Sequence, residues 1–138
     1  MLECLIMGDS IAVGVSQQRK ECSAYVQSGI SSPNFVKKFG DKAGTPAKTV
    51  VISLGANDYK TNTREHILKI REKVKADHVF WLLPNEEKKP EAVKAVEEVA
   101  KKFGDTVIPR PDKKMISKDG VHPTTQGYKD LAAKTKVK

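Results

Sequence analysis

Apolar residues in this chain alternate between short unbroken runs and helical spacings from one end to the other. The runs are Leu2 to Met7, Ser23 to Gln27, Thr49 to Leu54, His78 to Leu83 and Thr106 to Ile108. Runs of this length, bounded by Gly or Pro, predict strands covered on both faces. Helices are predicted between them. Ile11 to Gln18 forms the first. The second runs from Ser32-Pro33 through Phe39, with Ser32 as N-cap, Pro33 at the first helical position and Gly40 as the stop. Asn62 and Glu65 have capping-box spacing ahead of a helix with Ile67, Ile70 and Val74 on one face. Pro90 opens a helix with Val93, Val96, Val99, Ala100 and Phe103 at core spacing, closed by Gly104, and the last helix covers Thr125 to Lys134. Strand and helix in strict alternation predict an α/β fold of three layers, α/β/α, around one parallel five-stranded sheet. With no repeat or linker, residues 1–138 form a single domain.

Composition narrows this picture. Apolar residues make up 38% of 138, low but sufficient for one core at this length. No apolar run approaches the ~20 residues of a membrane span, so no stable membrane insertion is expected. The segment Met1 to Met7 is too short for a signal-peptide core and runs straight into Gly8-Asp9-Ser10. The expected location is therefore cytoplasmic, or exported without a cleaved signal. Cys4 and Cys22 have no metal-ligand spacing. They are read as small core residues on neighbouring strands, with a bridge as the alternative. His66, His78 and His122 are scattered and form no ligand cluster, so no metal is expected. The net charge of +8 raises nucleic acid as a partner. Only four of the 25 basic residues are arginine, however, and the lysines are spread along the chain. That pattern describes a solvated surface, not the arginine forks of a base or phosphate reader, and no nucleic-acid partner is expected.

The candidate chemistry lies in three places. Gly8-Asp9-Ser10 follows the first strand, Gly55-Ala56-Asn57-Asp58 follows the third, and Asp119-Gly120-Val121-His122-Pro123 stands near the end. Serine, histidine and aspartate are the residue types that make a hydroxyl nucleophilic at neutral pH. Asp119 and His122 are close enough in sequence for one loop to present both; Asp112 is the alternative orienting acid. An asparagine after a strand can aim its amide at a developing oxyanion. Taken alone, Ser10 reads as a plain helix cap, and His122 could be a loop histidine bonded to a carbonyl. Asp9 and Asp58 are read as structural, bonding loop backbone. His66 and His78 are bystanders.

In order and context, these three blocks resemble the signature blocks of the SGNH (GDSL-type) hydrolases, from Gly8 to His122. The resemblance implies a flavodoxin-like sheet in the order 2-1-3-4-5. It also implies a serine esterase with Ser10 as nucleophile, His122 as general base and Asp119 as its orienting acid, and no cofactor. The oxyanion hole it implies consists of the Ser10 N–H, the Asn57 side chain and a backbone N–H after strand two. For the last donor the sequence offers Gly29 or, by spacing, Ser32. Ligands of such sheets bind where the strand order reverses, beyond the strands' C-terminal ends, and Ser10, Gly29 and Asn57 all follow strands there. The chain is short for the family, and its longest connections, Gly40 to Lys48 and Pro109 to Lys118, are polar and lysine-rich. A small acyl group, acetyl expected, on an acylated carbohydrate or other small ester is the implied substrate. The rival function is a catalytically weak carbohydrate-binding or structural module of a larger assembly. A nucleotide-binding protein is disfavoured, since GDSIAVGV has no phosphate-loop spacing.

Overall fold

The computed structural model describes residues 1–137. Five strands, β1 (Leu2–Gly8), β2 (Ser23–Val26), β3 (Ala47–Ser53), β4 (Ala76–Leu82) and β5 (Thr106–Ile108), form one parallel sheet in the order β2-β1-β3-β4-β5. The helices are α1 (Ser10–Gln18), α2 (Ser32–Phe39), α3 (Thr63–Lys73), α4 (Pro90–Phe103) and α5 (Thr125–Lys134), with a 3₁₀ turn at Lys113–Met115. No helix among the described residues is long and apolar enough to cross a membrane.

The strands alternate their side chains between two cores, as the pleat requires. Leu5, Met7, Val50, Ile52, Val79 and Trp81 pack with residues of α2, α3 and α4. Ile6, Val51, Phe80 and Leu82 pack on the other face with Ala12, Val15 and Leu131 of α1 and α5. Two contacts fix α1 against α5. The Tyr128 ring lies on Gly14 so closely that a Cβ there would sit 2.1 Å from it. The buried Arg19 donates to the carbonyl and hydroxyl of Thr135.

Three local expectations are corrected. β3 and β4 begin two residues earlier than the apolar pattern indicates, because Ala47 and Ala76 are already paired with each other; exposed Lys48 and Asp77 interrupt the run without interrupting the ladder. Ser31, not Ser32, caps α2, accepting the Asn34 N–H. Cys4 and Cys22 are joined as a disulfide across the β1–α1–β2 unit, so the alternative of a bridge holds over two separate thiols.

Candidate active site

β1 and β3 approach so closely at Gly8 that a Cβ there would stand 1.9 Å from the Ser53 carbonyl oxygen; with φ at +137°, only glycine fits. The chain then turns into α1. Asp9 is the N-cap: its Oδ1 accepts the Ile11 N–H at 3.0 Å and the Ser53 hydroxyl at 2.9 Å. One carboxylate thus ties the start of α1 to the end of β3. Its Oδ2 is buried without a partner among the described residues. Burial pushes the Asp9 carboxyl up to about 6, against the lowering effect of its bonds to Ser53 and Ile11. Ser10 follows at the first helical position, where its N–H has no intrahelical acceptor. Its Oγ lies 3.0 Å from His122 Nε2, across 112 residues of chain.

Asn57 and Asp58 organise the adjoining loops. The Asn57 amide donates one hydrogen to the Ile30 carbonyl at 3.1 Å, leaving its second hydrogen for another acceptor. Asp58 is buried and accepts three bonds, from the Ser32 N–H at 2.7 Å, the Ser32 hydroxyl and the Thr63 hydroxyl at 2.6 Å. Lys89 reaches the Asp58 carbonyl. Of the two backbone donors expected after β2, the Ser32 N–H is bonded to Asp58. Gly29 is exposed, has φ of +79° and occupies a turn closed by the Ile30 N–H on the Gln27 carbonyl. Its N–H has no acceptor among the described residues.

His122 sits on a self-bonded loop. Asp119 Oδ2 lies 2.8 Å from His122 Nδ1, while Oδ1 accepts the Val121 and His122 N–H groups at 2.8 and 2.9 Å. The bond from the His122 ring, then those backbone N–H groups and the Ser117 hydroxyl, hold the Asp119 carboxyl well below the usual range. A carboxylate at Nδ1 puts the proton there and leaves Nε2 as acceptor for the Ser10 hydroxyl. The loop is closed by the Ser117 N–H on the His122 carbonyl, by the Ile116–Pro123 bridge and by Thr124, which caps α5. Arg110 adds a brace, donating from Nη2 to the carbonyls of Gly120 and Val121 at 3.1 Å each. Asp112 precedes the 3₁₀ turn, and its carbonyl accepts the Met115 N–H; among the described residues Asp119 is the carboxylate bonded to the ring. His66 bonds within its own helix start. The grouping Cys4, Glu21 and Cys22 has metal-ligand types, but both sulfurs are consumed by the disulfide.

No protein-family model and no curated protein sequence matches the chain. Solved structures do. The C-terminal catalytic domain of Streptococcus pneumoniae peptidoglycan O-acetyltransferase A (OatA), carrying a methylsulfonyl adduct, aligns with TM-score 0.65 and 17% identity over 96% of this chain and 90% of that one. An extracellular lipase from Streptomyces rimosus aligns with TM-score 0.63 and 12% identity over 99% and 100% of the two chains. The chain shares its fold with both of these structures. A possible lipase from Chitinophaga pinensis shares it too, at TM-score 0.60 and 11% identity over 94% of each chain. On this sheet Ser10, Gly29 and Asn57 stand beyond the C-terminal ends of β1, β2 and β3, around the reversal of strand order between β1 and β3.

Proposed function

We propose that this chain is a serine esterase acting on small acyl esters, acetyl among them, with an acylated carbohydrate as the fitting carrier. The observation that carries the reading is the unbroken line from Ser10 Oγ to His122 Nε2 at 3.0 Å and from His122 Nδ1 to Asp119 Oδ2 at 2.8 Å. Ser10 Oγ attacks the ester carbonyl as His122 Nε2 takes its proton, and Asp119 stabilises the imidazolium that forms. The tetrahedral oxyanion accepts bonds from the Ser10 N–H, the Gly29 N–H and the free Asn57 amide hydrogen. The N-terminus of α1 adds its partial positive charge. His122 then protonates the leaving alcohol, and the acyl group stays on Ser10. In the second half, His122 deprotonates water, which releases the acid and restores the hydroxyl. The reaction needs no cofactor or metal.

The alignments with an acetyltransferase domain, a lipase and a possible lipase support acyl transfer as the reaction class. The test is hydrolysis of p-nitrophenyl acetate together with labelling by a sulfonyl fluoride, located by mass spectrometry. Turnover and a label on Ser10, both absent in Ser10→Ala, are expected. Turnover that survives Ser10→Ala, or none in the wild type, overturns the reading.

A further inference from the structure

Among the described residues, Tyr59 is the one large apolar side chain left exposed away from the chain ends, at 77%. It stands two residues after Asn57, so their Cα atoms are at most about 8 Å apart. The loop that presents it is held on both sides. Asp58, just before it, is buried on three side-chain bonds, and its carbonyl accepts from Lys89 Nζ at 2.6 Å. Lys60, just after it, takes φ of +47°, left-handed backbone that no other non-glycine residue among those described adopts. Such strain persists only where the surroundings impose it, and it gathers at functional loops. The Lys60 ammonium lies over the Tyr59 ring, 5.4 Å from its centre, which orients the ring.

The ring borders a polar groove. The depression beside it, lined by Thr61, Thr63, Lys88 and Glu91, adjoins a second along the start of α3 and the first half of α4; Thr61, Thr63 and Glu91 belong to both. Arg64 and Glu98 pair in the second at 3.1 Å. A protein partner would need an apolar centre around the aromatic, and here the neighbours are hydroxyls and charges. A pyranose suits both parts. Its C–H face carries slight positive charge and stacks on the negative face of an aromatic ring. The hydroxyls around its edge need donors and acceptors together, which lysine, threonine and glutamate supply. We propose that Tyr59 is the platform for a pyranose unit of the carrier and that the groove beyond it holds the next units, making the substrate an acylated oligo- or polysaccharide. The carrier's role as substrate rests on the esterase reading.

The experiment compares kcat/KM for partially acetylated cello- and xylo-oligosaccharides with that for ethyl acetate, which has no ring to stack. In Tyr59→Ala the ratio of sugar ester to ethyl acetate should fall roughly tenfold, through KM, for the loss of one stacked ring. Tyr59→Phe should keep the wild-type ratio, because the ring and not its hydroxyl makes the contact. At 77% exposure neither substitution threatens the fold. A ratio unchanged in Tyr59→Ala, or lost equally in Tyr59→Phe, overturns the platform and leaves the esterase reading intact. So does an equal fall in kcat on both kinds of ester, which would make Tyr59 a support for Asn57. If no ester is turned over, the esterase reading falls, and titration calorimetry with the same oligosaccharides decides the platform. Binding by the wild type that Tyr59→Ala loses sustains it; no binding, or binding that survives Tyr59→Ala, overturns it.

Discussion

Two regions meet at Ser10 Oγ, and they are held in place by different means. The loops after β1 and β3 are pinned by carboxylates enclosed in the protein, Asp9 at 0% and Asp58 at 6% exposure. Each bridges separate segments, so the position of Ser10 relative to Asn57 depends on the whole sheet. The His122 loop is pinned by Asp119, whose side chain is 52% exposed and whose partners all lie within five residues of sequence. The difference separates two ways of holding a geometry. Burial gives rigidity at the cost of desolvating a charge. A local turn gives orientation without linking it to global stability.

Substitutions in the two regions should therefore divide between activity and stability. The largest effect is expected from Ser10→Ala or His122→Ala, each lowering kcat by roughly 10⁴–10⁶ with Tm nearly unchanged. A matching fall in Tm, read by calorimetry, would mean these side chains carry the fold. Next, Asp119→Asn should lower kcat by about 10²–10⁴ and leave Tm in place, since the substitution is exposed. Its counterpart Asp58→Ala strands two buried hydroxyls and an N–H. That variant should lose about 2–4 kcal/mol of stability along with activity. If both aspartates behave alike in paired kcat and Tm measurements, the contrast between the regions collapses. Asn57→Ala should cost roughly 10²–10³ in kcat through one lost oxyanion donor.

Asp9 gives the contrast a pH dependence. Its folded pKa of about 6 lies above the ordinary 3.8, so the native state holds this proton more tightly than the unfolded chain does. The favourable contribution is complete below pH 3.8 and is lost as pH rises through 6. Between pH 4 and 7 the wild type should lose about 2 kcal/mol relative to Asp9→Asn, measured by urea unfolding at both pH values. Parallel pH curves would show that burial does not tax this carboxylate. The smallest effect belongs to the loop brace: Arg110→Ala should lower kcat by less than about tenfold, with partial rescue by Arg110→Lys.

Much of this arrangement is legible in the sequence because it rests on local signals. Val50-Val51-Ile52 is a buried strand by its run alone, and Asp119 and His122 share a turn by their spacing. That Ser10 and Asn57 stand at the same end of the sheet follows from the parallel order once the strands are assigned. What is not legible depends on contacts between distant segments. Ser32 has the spacing of a donor, but a carboxylate 26 residues away takes its N–H. Arg110 looks like one more surface charge until its guanidinium is seen on the Gly120 and Val121 carbonyls. The strand ends at Ala47 and Ala76 are hidden by polar neighbours whose backbone pairs regardless of side chain.

The Cys4–Cys22 bond makes residues 4 to 22 a covalent ring, and Ser10 is a member of that ring. Closing a loop of this length removes about 3 kcal/mol of freedom from the unfolded chain. The effect falls on the segment that carries the proposed nucleophile. A protease cut after exposed Lys20 would open the ring without releasing either piece: the strip bearing β1 and Ser10 would stay attached through sulfur until a reductant arrived. Where thiols are kept reduced that tether does not form, and the same cut would set β1 and Ser10 free of the rest of the sheet.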